Sequence, residues 1–154
     1  MTKNNEDIKA ALQAVMYGHI EMQLVSLIKA KNSIQESKLN ETKSSAGDKF
    51  ETGRAMMQQE LDRIESQMDM LNVTKNRLKQ MSSDITHDKV VAGAIVITDN
   101  GNFYISVSLG KVKVEDEMYY TISPIAPLSK VFLKKKSGDR VEFRGRSYFI
   151  KNVM

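Results

Sequence analysis

The segment MQQELDRIESQMDMLNVTKNRL, residues 57–78, decides the fold of the first half of the chain. Alternating steps of four and three residues connect Met57, Leu61, Ile64, Met68, Leu71, Lys75 and Leu78. This spacing is the a/d pattern of a coiled coil, in which the repeating positions pack against another helix. Lys75 is the polar exception among them. The segment therefore predicts a long helix whose seam needs a partner.

The preceding segment, Asp7 to Asn40, supplies that partner. Its apolar residues recur near the helical period from Ile8 to Ile34, which predicts an amphipathic helix. The stretch SSAGD, residues 44–48, separates the two segments and has the composition of a turn. We therefore expect residues 1–83 to form an antiparallel coiled-coil hairpin about 45 Å long, with its tip near residues 44–54.

The period changes after residue 83. The stretch VVAGAIVITDNGNFYISVSLGKVKV, residues 90–114, is rich in Val and Ile and carries a turn signal at Asp99-Asn100-Gly101. VEFRGRSYFIKNV, residues 141–153, repeats the pattern around Arg144-Gly145. Between them, APLSKVFLKKK has helical spacing and predicts a short helix ending near Gly138. The expected fold class is α+β, with residues 84–154 forming a small, mainly antiparallel β domain with one short helix.

The composition excludes several classes of site and segment. The chain has no cysteine and only two histidines, His19 and His87, so disulfides, thiolate metal sites and Cys-His catalysis are excluded. There is no phosphate-binding glycine motif. No apolar run approaches the roughly 20 residues needed to cross a bilayer, and the N-terminus lacks the apolar core of a secretion signal. We expect a cytoplasmic protein without a membrane partner.

Positive charge is concentrated in the second half of the chain. Residues 84–154 hold 11 Lys and Arg against 8 Asp and Glu, and most of the excess lies between Lys130 and Arg146. Such a cluster suits an acidic partner or a phosphate backbone, and it is equally compatible with an ordinary solvated face. Charge alone leaves both interpretations open.

One acidic pair, Asp48 and Glu51, lies at the start of the second predicted helix. The simpler interpretation is a capping box. In it the Asp48 side chain accepts a hydrogen bond from a free backbone N–H of the first helical turn, and the Glu51 side chain accepts one from the backbone N–H of Asp48. The functional interpretation is that carboxylates three residues apart share a helix face, and Mg²⁺ is commonly held by one or two protein carboxylates plus waters and phosphates. The pair could therefore complete a metal site belonging to another protein.

With GDKFE at residues 47–51 and APLSKVFLKKKSGDRVEF at residues 126–143, the chain resembles the bacterial Gre transcript cleavage factors. The resemblance implies an FKBP-like C-terminal domain that binds the rim of the secondary channel of RNA polymerase. It also implies a hairpin that enters the channel and brings two acidic residues to the active centre. There they help hold Mg²⁺ and position water, which accelerates hydrolysis of backtracked RNA by the polymerase.

By position, Asp48 and Glu51 match the acidic pair of the family, which would assist catalysis and share Mg²⁺ with the polymerase. Ala126 and Pro127 fall on the polymerase-contacting Ser-Pro of the family, and Ser123-Pro124 is the second choice. Basic residues near the tip would face the RNA 3′ segment, at Lys38, Lys43, Lys49 and Arg54. The implied partners are RNA polymerase, nascent RNA and, in the elongation complex, DNA. We expect a monomer with no metal bound in isolation.

The tip also departs from the family pattern. Relatives usually continue Glu-Asn-x-Glu-Tyr, whereas Thr52, Gly53, Arg54 and Ala55 follow Glu51 here. Three functions are therefore weighed: an accessory factor, not itself an enzyme, that stimulates transcript cleavage; a secondary-channel regulator or inhibitor without cleavage; and, more distantly, an FKBP-like prolyl isomerase or chaperone. An isomerase of that type needs an aromatic-lined pocket, and this chain has no Trp. We expect its Tyr and Phe side chains to form the core of the small domain instead, among them Tyr104, Tyr120, Phe132 and Phe149.

Overall fold

The structure, a computed structural model, describes residues 4–41 and 47–154, without the side chains of residues 6, 41 and 47–50. Two long helices come first, α1 (Asn5–Glu41) and α2 (Gly47–Lys79). The strands follow as β1 (Ile95–Thr98), β2 (Gly101–Ile105), β3 (Gly110–Val114), β4 (Glu117–Ile122), β5 (Arg140–Phe143) and β6 (Arg146–Val153), with α3 (Pro127–Phe132) between β4 and β5. The fold is α+β, as predicted. Most of the predicted SSAGD turn lies outside the described residues.

The two long helices form the predicted hairpin. The α2 seam is its least exposed face: Leu61, Ile64 and Leu78 are buried and the other four seam residues are half-buried. Cross-helix contacts pair Glu21 with Lys75, Lys31 with Glu65 and Lys38 with Gln58, so positions rise along α1 as they fall along α2. The helices are therefore antiparallel. One residue of the predicted α1 stripe, Ile28, is 44% exposed because the covered face passes through Leu27 and Lys31.

Lys75, the polar seam residue, forms an ion pair with Glu21 of α1. A polar residue at such a position specifies register at a cost in stability, and apolar replacements of partly buried ion pairs are often stabilising. We expect Lys75→Leu to raise the free energy of unfolding by about 1 kcal/mol, because Glu21 is half exposed and stays hydrated when its partner is lost. Urea denaturation followed by circular dichroism tests this, and a loss of stability would contradict it.

The strands form one six-stranded sheet in the order β3-β4-β2-β1-β6-β5. Four of the five strand pairings are antiparallel, in agreement with a mainly antiparallel sheet. The sheet is nevertheless mixed, because β2 and β4 run parallel. Thr121 Oγ1 joins β4 to the start of β3: it accepts a hydrogen bond from Leu109 N and donates one to Gly110 O. β3 lies at the sheet edge and β4 lies beside β2, an order that the sequence pattern did not predict.

Both predicted β-hairpins are present. Thr98 pairs with Gly101 across the first turn, and Thr98 Oγ1 donates a hydrogen bond to Gly101 O. In the second turn Arg144 and Gly145 have φ values of 49° and 76°. Two consecutive positive φ values define the tight turn that matches the twist of antiparallel strands, and they explain the glycine at position 145.

The core of the sheet lies under α3. Phe132, at the end of α3, is fully buried among Phe103, Val141, Tyr148 and Ile150. The predicted end of this helix near Gly138 is wrong, since α3 ends at Phe132. The backbone of Lys134 and Lys135 instead exchanges hydrogen bonds with Val90, and this pairing competes with continued helix.

The chain divides into two compact units. One contains the chain up to Gly18 together with Asn76–Met154, and the other is His19–Lys75. The division predicted from the sequence follows the change from helix to strand, which does fall between Lys79 and Ile95. The two units differ from that division because the N-terminal part of α1 packs within the unit that holds the sheet. No helix of the described residues is long and apolar enough to cross a bilayer.

Candidate functional site

The predicted acidic pair lies in the first two turns of α2. The helix begins at Gly47, so the backbone of Asp48 is in its first turn and not at the N-cap position. The side chain of Asp48, and with it the predicted capping bond, lies outside the described part. The Glu51 side chain is exposed to solvent. An exposed carboxylate near a helix start is favoured by the helix dipole and is accessible to a partner.

The four residues that depart from the family pattern are all helical. Thr52, Gly53, Arg54 and Ala55 continue α2 without interruption, so Gly53 does not break the helix. Arg54 is exposed and lies three residues after Glu51, a spacing that brings two helical side chains to the same side. A cationic group therefore shares a helix face with the predicted functional carboxylate.

The other predicted tip cations differ in how far the structure describes them. Lys43 and the side chain of Lys49 lie outside the described residues. Lys38 is half-buried and its Nζ donates a hydrogen bond of 2.6 Å to Gln58 Oε1 on α2. Lys38 therefore also contacts α2 within the hairpin.

The predicted polymerase-binding loop forms the start of α3. Ala126 occupies the N-cap position in an extended conformation without a side-chain cap, and Pro127 follows at the first helical position. Proline is well suited there because its fixed φ is helical and its missing N–H would have no partner. Pro127 is exposed, and the preceding Ile125 is 78% exposed. The loop thus presents two apolar side chains to solvent.

A buried serine holds this loop in place. Ser129 Oγ donates a hydrogen bond of 2.6 Å to Ser123 O, and the backbone N–H of Ala126 donates to the same carbonyl at 3.0 Å. Ser129 is fully buried. Sequence reasoning missed Ser129 and Ile125. A signal for Ser129 was present in the sequence: it lies three residues before Phe132, so both side chains are on the buried side of α3. A polar residue on a buried side needs a hydrogen-bond partner.

A buried polar cluster within the unit that holds the sheet was also missed. Lys9 is 0% exposed and donates a hydrogen bond of 2.6 Å to Ile85 O. Gln13 donates to Met81 O at 2.6 Å and to the Tyr104 hydroxyl at 2.9 Å. These bonds join α1, the segment after α2, and β2. The signal in the sequence is that Lys9 and Gln13 share the helical spacing of Leu12 and Met16.

Burial shifts the pKa of three members of this region. It lowers the pKa of Lys9 to about 8, because the charged ammonium loses its hydration. Burial, with the nearby Lys9, also lowers the pKa of His87. The pKa of Tyr104 is raised by burial, against the opposing hydrogen bond from Gln13. All three shifts favour the neutral form of the side chain, so the cluster is neutral between the pKa of Lys9, about 8, and the ionisation of Tyr104 above pH 10.

The aromatic residues are packed mainly against one another. The rings of Phe103, Phe132 and Tyr148 lie within 5.8 Å of each other, centroid to centroid. Tyr104 and Phe132 are core residues as predicted, whereas Tyr120 is exposed and Phe149 is half-buried. A cleft of about 440 Å³ beside His87 is lined by Asn5, Thr86, His87, Asp88, Ser137, Asn152 and Val153.

No model of a known protein family and no curated protein matches this sequence. The resemblance to the Gre factors therefore rests on the tip and α3 motifs themselves.

Proposed function

We propose that this chain is an accessory factor of bacterial RNA polymerase that binds in the secondary channel and stimulates the polymerase's own cleavage of backtracked RNA. The observation that carries the proposal is the exposed Glu51 carboxylate near the start of α2, beside the connection between two long antiparallel helices. A helix pair of about 50 Å has the length to carry such a group into a narrow channel.

Glu51 is a hard oxygen ligand, which is the type that Mg²⁺ prefers, and one or two such carboxylates are a usual protein contribution to a magnesium site. Among the described residues no group of three or more acidic or histidine side chains could hold a metal ion. We propose that Asp48 and Glu51 contribute to a site shared with the polymerase's own ligands. When bound there, Mg²⁺ would supply activation of the attacking water. The Glu51 oxygens would accept hydrogen bonds from that water and orient it.

We assign the polymerase contact to the loop before α3. Ile125 and Pro127 are exposed, and Ser129 holds the loop backbone through Ser123 O. A preorganised apolar loop loses little conformational entropy on binding, which suits it to a protein contact. Ala126, at the position of the family serine, is half-buried at the N-cap. We also propose the FKBP-like fold for residues 84–154, in line with a mixed sheet covered by one short helix.

A second candidate is a channel-binding regulator that does not stimulate cleavage. The observation that favours it is Arg54, an exposed cation at the position where relatives carry a second glutamate. A guanidinium there would lower the negative charge available to a metal and would attract RNA phosphates. The isomerase alternative is less favoured, because Phe103, Phe132 and Tyr148 pack on one another and none of the residues lining the cleft beside His87 is Phe or Tyr.

Stalled, backtracked elongation complexes with labelled RNA separate these functions. The proposal predicts that the added protein releases short 3′ RNA fragments, and that the release requires Mg²⁺. Binding to polymerase without fragment release would overturn cleavage and support the regulator. Absence of polymerase binding would overturn both, and a proline isomerisation assay would then test the third function.

A further inference from the structure

The β5–β6 hairpin and the segment before it are the most basic part of the chain. Residues 130–151 hold eight Lys and Arg against two acidic residues, whereas the whole chain has a net charge of only +4. The remainder of the chain is therefore slightly acidic. The charge is not a general property of the protein but belongs to residues 130–151.

Two arginines of this hairpin lie over aromatic rings. The Arg140 guanidinium is 5.6 Å from the centroid of the Phe149 ring, and the Arg144 guanidinium is 4.9 Å from that of Phe143. Both arginines are exposed and both rings are half-buried. Strand pairing sets Arg140 opposite Phe149 and Phe143 opposite Arg146. Each guanidinium is thus held against a ring instead of extending freely into water.

Further cations adjoin these pairs. Lys151 follows Phe149 by two residues on β6, a spacing that brings both side chains to one face of the strand. Ser137 Oγ donates a hydrogen bond of 2.8 Å to Lys151 O. This bond holds the segment that contains Lys136 and Ser137 alongside β6. We call the set Lys136, Arg140, Arg144, Arg146, Phe149 and Lys151 the β5–β6 basic surface. Arg140, Phe149 and Lys151 lie on one face of the hairpin and Arg146 on the other, so the set borders both faces of the edge strand β5.

The positive charge of this surface is not neutralised within the described part of the chain. None of its cations belongs to an ion pair there, and Arg140 Nη1 has a 3.3 Å hydrogen bond to the neutral Ser147 Oγ. The two acids of the stretch are Asp139, whose Oδ2 already accepts a hydrogen bond from Lys136 N, and Glu142, which is exposed on the face of β5 that carries Arg140. The surface therefore has an excess of donors and charge available to an anionic partner.

We propose that the β5–β6 basic surface binds single-stranded nucleic acid. Arginine and lysine would bind the phosphates, and unpaired bases would stack on the exposed guanidinium planes and on the edge of Phe149. An acidic protein would bind to the positive charge alone. The contacts between arginines and aromatic rings favour a partner with planar bases that can stack on them. The proposal does not depend on the proposed function, because none of these residues belongs to the tip or to the α3 loop.

Fluorescence anisotropy with labelled 12-nucleotide single-stranded RNA and DNA tests the proposal. The triple variant Arg140→Gln, Arg144→Gln, Arg146→Gln should lose affinity at least about 10-fold and show a weaker salt dependence. The matched control Lys29→Gln, Arg77→Gln, Lys79→Gln has the same net charge, replaces exposed side chains of α1 and α2, and should lose less than about twofold. Phe149→Leu, which retains an apolar side chain, should lose about fivefold or more through stacking.

Binding of either single strand with these losses supports the proposal, and a preference for RNA would indicate contacts to the 2′-hydroxyl. The proposal is overturned if the wild-type chain binds neither strand at about 50 mM salt, where phosphate contacts are strong. Equal losses in the two triple variants, or equal affinity for duplex DNA, would also overturn it. Displacement of RNA by polyglutamate at the same charge concentration would instead assign the surface to an acidic protein.

Discussion

Glu51→Gln should reduce the release of 3′ RNA fragments from backtracked complexes by about 100-fold or more, which is the usual cost of removing one preorganised group from a transition state. Glutamine keeps the size of the side chain but cannot share a metal ion as an anion. Asp48→Asn should have a comparable effect. Both variants should still bind polymerase, because the proposed contact loop at Ile125 and Pro127 is unchanged. Fragment release and polymerase binding are measured on the same preparations.

Glu36→Gln is the matched control for this experiment. Glu36 is an exposed glutamate of α1, and its replacement should leave fragment release within about twofold of wild type. A purely structural role makes a different prediction, because Asp48→Asn in the first turn removes only the interaction of one charge with the helix dipole, about 1 kcal/mol or less. If Asp48 and Glu51 served only to start α2, Asp48→Asn would leave activity and stability nearly intact. Full cleavage by both variants would therefore reject the catalytic role of the pair.

The protein should become more stable as pH rises from 7.5 to 9.5, by about 2 kcal/mol in the free energy of unfolding. The cause is Lys9. Burial lowers its pKa to about 8 in the folded protein, from the ordinary value of 10.5 that it has in the unfolded chain. Between these values the unfolded chain binds more protons than the folded chain, so removing protons favours folding. Below pH 8 the folded state holds a buried ammonium, whose lost hydration destabilises it.

The chosen pH window excludes the neighbouring groups. The pKa of His87 is lowered in the folded protein, so the unfolded chain takes up this proton first as pH falls. His87 therefore reduces the free energy of unfolding only below about pH 6.5, outside the window. Tyr104 and Tyr119 have raised pKa values, so the unfolded chain ionises first and stability falls only near pH 10 and above. Urea denaturation followed by tyrosine fluorescence is suited to the measurement, because the chain has no Trp and all its tyrosines lie in the unit that contains Lys9.

Lys9→Met should remove the rise, because methionine has similar length and no titrating group. Lys79→Met replaces an exposed lysine and should retain the full pH dependence. A rise of equal size in the Lys9→Met variant would mean that another group is responsible. A flat profile in the wild-type chain would mean that Lys9 keeps its ordinary pKa.

The elements predicted from the sequence are those whose signal is local. The α2 seam, the α1 stripe except Ile28, and the two β-hairpin turns were predicted correctly, since each depends on residues within a few positions of one another. The end of α3 was not, because Lys134 and Lys135 bond to Val90, more than 40 residues earlier. The parallel pairing of β2 with β4 was missed for the same reason, since it is set by the path of the chain between strands.

The candidate site divides in the same way. Glu51, Arg54, Ala126 and Pro127 were identified from short motifs, and the structure adds the exposure of Glu51 and the helical course of Thr52 to Ala55. The positions of Ser129 under the α3 loop and of Arg140 over Phe149 were not accessible from motifs. They depend on which residues the fold brings into contact.

The sequence by itself determined a helical hairpin followed by a small α+β unit, because hydrophobic period and turn residues act over a few residues. It also determined the acidic tip motif and the concentration of positive charge near the C-terminus. Only the tertiary structure decided that Lys9 and Gln13 are buried, that the sheet is mixed, and that arginines stack on rings in β5–β6. Those features depend on contacts between residues up to 91 positions apart, such as Gln13 with Tyr104, and local patterns carry no information about such contacts.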